Sequence, residues 1–259
     1  MIRVETYTEG KVRERNEDRF ACAGDAFVIV DGATDKSGRI YDGKTGGEIV
    51  AELVCEECLA AGLDGVELAR HLNGKIREKY VECGILGDIG DARYRFTCGF
   101  VQVRVVGDRV IVTSVGDLGF RVNGRELHMD VKQVDIENAD RRAECIARSG
   151  DVATCTESIR PYILGQFAYQ NISGVSLGYG VVDGTETPDE YVKTFGYPLS
   201  DIRTIELFTD GYLLVPEAVS IDAWERAHGR VEAEDPDKWK VYRSTKSKDD
   251  RTVSIIRFV

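Results

Sequence analysis

Four β-type segments of this chain each meet an aspartate at one end, and that repetition limits what the chain can fold into. Phe27-Val28-Ile29-Val30 is short, β-branched and aromatic, and runs straight into Asp31-Gly32. Val110-Ile111-Val112 continues through Val115 to Gly116-Asp117, and Ile205-Glu206-Leu207-Phe208-Thr209 ends in Asp210-Gly211. Near the C-terminus the order reverses, with Asp249-Asp250 placed just before Thr252-Val253-Ser254-Ile255-Ile256. Runs of this type read as core strands, so each acid stands where the chain leaves the core. A further pair, Glu17-Asp18, follows Arg13-Glu14-Arg15-Asn16 on the approach to the first of these strands. Asp-Gly after a strand is also an ordinary turn dipeptide, so any one pair taken alone reads as a turn. If the ends meet, several negative charges share a small volume, which requires poor ionisation or bound cations. Oxygen donors without paired His or Cys suit Mg²⁺, Mn²⁺ or Ca²⁺ rather than zinc.

The rest of the chain is consistent with one core and adds exclusions. Its 259 residues can bury a core as one large domain or two small ones, and length does not choose between them; no repeat or convincing linker divides them, and residues 1–259 are expected to form a single domain. A formal charge of −11 argues against a nucleic-acid partner, because phosphate backbones demand clustered Lys and Arg. No apolar run reaches the length of a membrane span, so no membrane partner is expected. The first residues do not resemble a signal peptide, and a cytoplasmic location follows by default. Seven cysteines fit reduced thiols in that compartment. Cys55-Glu-Glu-Cys58 falls within a helical pattern and reads as core rather than zinc or redox chemistry.

Strands come in runs and helices in pairs. Residues 2–8 read as a first strand, and 19–23, joined through Gly24-Asp25 to the strand ending at Asp31, suggests an antiparallel meander, followed by helices over 46–61 and about 65–82. From 95 to 122 the period returns to two, with hairpin turns at Gly107-Asp108 and Asn123-Gly124. Residues 138–168 read as two helices around Gly150-Asp151, with a break near Arg160 caused by Pro161. Residues 173–184 read as glycine-rich and short-stranded, 185–199 as loop, and 219–227 as a short helix. Residues 229–248 read as a polar surface excursion. His71, His128 and His228 fall outside every motif and read as surface or structural.

In order and strand placement these motifs resemble the metal-dependent protein serine/threonine phosphatases of type 2C. Arg13, Asn16-Glu17-Asp18 and Phe20 resemble that family's opening motif, and Val30-Asp31-Gly32 its first metal motif. Ser114-Val115-Gly116-Asp117, Phe208-Thr209-Asp210-Gly211 and Lys248-Asp249-Asp250-Arg251-Thr252-Val253 resemble the three that follow. The resemblance implies an α+β fold, a four-layer α-β-β-α sandwich of two antiparallel sheets flanked by helices. It implies two Mn²⁺ or Mg²⁺ ions, with Asp31 bridging, the Gly32 carbonyl on one, and Asp210 and Asp249 on the other. A third, weaker position would use Asp117 with Asp210, and Glu17 and Asp18 would orient metal-bound waters. Arg13 would grip the phosphate, since a planar guanidinium suits bidentate binding. The implied activity is hydrolysis of phosphoserine and phosphothreonine in a protein substrate by a water activated between two ions. The alternatives are a small phosphorylated metabolite as substrate, or a catalytically idle binding module of the same fold.

The chain also departs from the family. Asp31-Gly32 continues as Ala33-Thr34-Asp35, without a histidine to act as general acid, and Asp35 is an unassigned acid nearby. Asp250 stands where the family usually has Asn, which leaves Asp249 and Asp250 both open as the ligand.

Overall fold

The computed structural model describes residues 1–12, 15–33 and 36–259. Arg13, Glu14, Thr34 and Asp35 lie outside the described residues. The strands are β1 (Ile2–Glu9), β2 (Asp18–Ala23), β3 (Ala26–Gly32), β4 (Cys98–Val106), β5 (Arg109–Val115), β6 (Gly119–Val122), β7 (Glu126–Met129), β8 (Lys193–Pro198), β9 (Thr204–Phe208) and β10 (Arg251–Phe258). The helices are α1 (Gly46–Ala60), α2 (Gly65–Glu82), α3 (Gln133–Ser149), α4 (Val152–Ser158), α5 (Arg160–Gly165) and α6 (Ile221–Glu234).

Two five-stranded sheets form, one ordered β1-β10-β9-β6-β7 and the other β2-β3-β4-β5-β8, antiparallel throughout. The period of two in β3 decides which layer each side chain joins. Val28 and Val30 face α1 and α2, where they pack with Val50, Val54 and Leu72. Phe27 and Ile29 point the other way, into a core shared with Leu118, Phe120, Ile205, Leu207 and Ile256 of the opposite sheet. Full burial of such a side chain is worth about 1.5–3 kcal/mol, so the alternation holds the sheets face to face. Outside the β1-β10-β9-β6-β7 sheet, α6 buries Trp224 against Phe208, Val253 and Ile255. This is the expected α-β-β-α sandwich.

Helix α1 starts where Thr45 and Glu48 cap each other. The Glu48 N–H donates to Thr45 Oγ1 at 3.1 Å, and the Thr45 N–H donates to Glu48 Oε2 at 2.8 Å. Cys55 and Cys58 are buried on its inner face, as core. The chain breaks at Ile159, and Pro161 sits in the first turn of α5, where its missing N–H costs no helical bond.

Several expectations need correction. The stretch 185–199 is not all loop: Lys193–Pro198 forms edge strand β8, paired with β5. An edge position tolerates Pro198, which has no N–H to give to a ladder. Residues 173–184 form no strand, only isolated bridges such as Cys98 with Val182. The helix expected over 219–227 is Ile221–Glu234, because Val231 continues its buried face past Gly229. Residues 229–248 are more than a surface excursion, since they bury Asp235 and Lys238 and bind the Arg142 guanidinium. Cys145 and Cys155 are bonded between α3 and α4, so the cysteines are not all reduced; the other five are free. Among the described residues no helix is long and apolar enough to cross a membrane.

Candidate metal centre

The strand ends meet. Asp18 and Asp31 are direct cross-strand partners at the end of the β2–β3 pair, in one sheet. Asp210 follows β9 and Asp249 precedes β10, adjacent strands of the other sheet. Thr209 ties the two together. Its N–H donates to the Thr252 carbonyl at 3.0 Å, its Oγ1 accepts from the Thr252 N–H at 2.9 Å, and the same hydroxyl donates to Asp18 Oδ2 at 2.7 Å. Gly32 permits the close approach of α1: a Cβ there would lie 2.4 Å from the Gly47 carbonyl oxygen. Gly116, at φ +95°, turns the chain so that Asp117 enters from β5.

Asp31, Asp117, Asp210 and Asp249 line a cleft of about 1180 Å³, together with Lys132 and Lys246. The electrostatics record how close the acids are. Burial, and then the charges of Asp210, Asp18, Asp117 and Asp249, push the Asp31 carboxyl well above its ordinary range. Asp18 is pushed up to about 8 by burial, eased by the Thr209 hydrogen bond and reinforced by Asp210, Asp249 and Asp250. Asp249 rises to about 7, chiefly through burial, with Lys246 opposing. Asp210 moves the other way. Burial would raise it, but Lys246, Lys132 and hydrogen bonds from Asp31 and Asp249 leave it below its ordinary value. The shifts run in opposite directions because Asp210 collects the two lysines and its neighbours' hydrogen bonds, while the other acids face mainly burial and one another.

Glu17 and Asp18 are 3% and 2% exposed, beneath the cleft. Glu17 Oε1 accepts from Thr45 Oγ1 at 2.7 Å, and Oε2 pairs with Lys11 Nζ at 3.0 Å. The structure separates Asp249 from Asp250. Asp250 is committed to the backbone, accepting from the N–H of Lys11 at 2.6 Å and of Glu17 at 3.1 Å, while Asp249 faces Asp210 and the cleft. Arg13 and Asp35 fall outside the described residues. His71 and His128 pair with Glu57 and Glu126, away from the acids. His228 lines the cleft from α6.

Sequence reasoning missed two cations. Lys132 Nζ lies 2.8 Å from Asp117 Oδ1, and the Lys246 ammonium pairs with Asp249. Both belong to polar loops, where nothing in the residue type fixes the direction of a long side chain. The spacing of Lys246, three residues before Asp249, was the one available signal.

The donor chemistry fits a hard divalent cation. Every cleft acid is an oxygen donor, and among the described residues Asp18 Oδ1 is buried without a hydrogen-bond partner. The arrangement is one step short of a cage: among the described residues no three His, Cys, Asp or Glu side chains are set to hold a metal ion as they stand. Ammonium groups supply the positive charge instead.

No protein-family model matches the chain, and no curated protein matches it. Solved structures do. The serine/threonine phosphatase Stp1 from Staphylococcus aureus matches with a TM-score of 0.55 at 16% identity, over 100% of this chain and 96% of that one. The serine/threonine phosphatase PstP/Ppp of Mycobacterium tuberculosis gives 0.55 at 16% identity, over 99% and 98%. The PstP catalytic domain solved in complex with two manganese ions gives 0.52 at 15% identity, over 99% and 97%. With two antiparallel sheets between helices, the chain has the fold of the type 2C serine/threonine phosphatases.

Proposed function

We propose that this protein belongs to the type 2C family as a single domain and hydrolyses phosphoserine and phosphothreonine in cytoplasmic proteins, using two Mn²⁺ or Mg²⁺ ions. The observation that carries the reading is the meeting of Asp31, Asp210 and Asp249 at one cleft from two different sheets. Asp31, Asp210, Asp249 and the Gly32 carbonyl would hold the pair of ions, and Asp117 with Asp210 a third, weaker one. Bound there, the ions would make water acidic enough to attack phosphorus and would offset charge on the phosphoryl oxygens. Glu17 and Asp18, locked by Thr45, Lys11 and Thr209, would fix the positions of waters on those ions. Arg13 would clamp the phosphate. The cytoplasmic setting suits the five free cysteines, and the Cys145–Cys155 bond is the feature there that is open to reduction.

A second reading, an idle module that binds phosphoproteins, is favoured by the lysines that already occupy the acids. One assay separates them. The protein is incubated with phosphopeptides and a chromogenic phosphate ester, with Mn²⁺, Mg²⁺ or a chelator. Phosphate release that requires metal is expected, with peptides preferred over the ester. Preference for the small ester would point to a metabolite, and no release under any condition would leave the binding module. Arg13→Ala should lower kcat/KM, and an unchanged value would remove Arg13 from the site.

A further inference from the structure

The cleft holds an imbalance that the family resemblance does not account for. Five acids, Asp18, Asp31, Asp117, Asp210 and Asp249, converge, and two lysines reach in among them. Lys132 and Lys246 differ in how they are held. Lys132 runs past the Tyr179 ring, 5.4 Å from its centroid, and its side chain is 20% exposed. The Lys246 side chain is 46% exposed, and its charge also acts on Asp210 and Asp31.

The backbone around Lys246 is pinned. Arg142, fully buried in α3, donates to the carbonyls of Asp237 at 2.9 Å, Lys238 at 3.2 Å and Ser244 at 3.1 Å, and to Ser247 Oγ at 2.8 Å. Asp235 caps the N–H groups of Trp239, Lys240, Val241 and Tyr242. The loop is thus a fixed base, and the flexible part is the four-carbon stem of Lys246. Leaving the acids asks for rotation of a half-exposed side chain into water, with no loop rearrangement.

From this geometry we infer that Lys246 is a tethered counter-cation, which neutralises the Asp249–Asp210 pair in the metal-free protein and is displaced when a divalent ion enters. An ammonium group supplies one charge and no coordination, whereas a divalent ion supplies two charges and binds several carboxylate oxygens at once. The ion therefore wins at sufficient concentration, but its apparent affinity is reduced by the cost of expelling the lysine. Lys246 then sets the metal concentration at which the site fills. This rests on the proposed metal-dependent function, and the test keeps the two apart.

Mn²⁺ binding is measured by calorimetry on the full chain, without any substrate. Lys246→Met should tighten Mn²⁺ binding by about tenfold or more, since one competing unit charge is gone. Lys246→Arg, which keeps the charge, should stay near the wild type. In the wild-type protein, amine-reactive labelling read by mass spectrometry should show Lys246 becoming several-fold more reactive on Mn²⁺ addition, with Lys75 on α2 as an unchanged reference. That measurement stands even if Lys246→Met fails to fold. Equal or weaker Mn²⁺ binding by Lys246→Met, or unchanged Lys246 labelling, would overturn the displacement alone. Absence of Mn²⁺ binding in every variant would overturn both the displacement and the metal-dependent function.

Discussion

Glu206 in β9 and Asp18 in β2 are both acids almost sealed from water, at 0% and 2% exposure, yet the fold treats them in opposite ways. Glu206 is closed off. Arg121 donates to both of its oxygens, from Nε at 2.5 Å and Nη2 at 2.6 Å, and Trp224 Nε1 adds a third bond at 2.8 Å. Asp18 has one oxygen on Thr209, the other without a hydrogen-bond partner among the described residues, and further acids for neighbours. A buried carboxylate with a complete set of donors belongs to the frame. A buried carboxylate left short of donors, beside others of its kind, carries a cost that a proton or a cation would relieve.

The largest effect expected from this contrast is on stability. Arg121→Met leaves Glu206 buried without its partner and should cost about 3–5 kcal/mol in denaturant unfolding, while Mn²⁺ affinity is unchanged. A loss under about 1 kcal/mol would break the contrast, because Glu206 would then need no closure. Asp31→Asn should do the reverse. Turnover of a phosphopeptide should fall at least about 10²-fold, as for loss of a preorganised electrostatic contact, while the metal-free melting temperature stays level or rises. Full activity in this variant would remove Asp31 from the chemistry.

The smallest effect is a slope. Asp18 keeps its proton in the folded chain up to about 8, whereas the unfolded carboxyl releases it near 3.8. Between those values the folded state binds more protons than the unfolded one, so this contribution is full below the window and is lost as pH rises through it. The metal-free protein should therefore become less stable from pH 4 to 8. Asp18→Asn should flatten that slope by up to about 1.4 kcal/mol per pH unit, read from urea unfolding at successive pH values. An identical slope in both proteins would mean that Asp18 is ionised like any surface acid.

Much of this was legible in the residues themselves. The alternation of Phe27, Val28, Ile29 and Val30 placed β3 between two layers, and the acids at 31, 117 and 210 were marked by the strands they end. What escaped depended on neighbours distant in the chain. β8 carries Pro198 and little buried surface, so it became visible as a strand only through its pairing with β5. The commitment of Asp250 to backbone N–H groups 233 and 239 residues away, which leaves Asp249 to the cleft, has no local signature. Lys132 and Lys246 were invisible for a related reason: a lysine's type says that it carries charge, and its surroundings decide where the charge goes.

Anomalous diffraction at the manganese edge, from crystals grown with Mn²⁺, tests the centre most directly. Manganese peaks are expected within about 2.0–2.2 Å of carboxylate oxygens of Asp31, Asp210 and Asp249, the range for a small octahedral divalent ion, with the Lys246 ammonium turned away. A cleft without manganese, with Lys246 still seated on Asp249, would contradict the assignment of these strand-end acids as a metal centre.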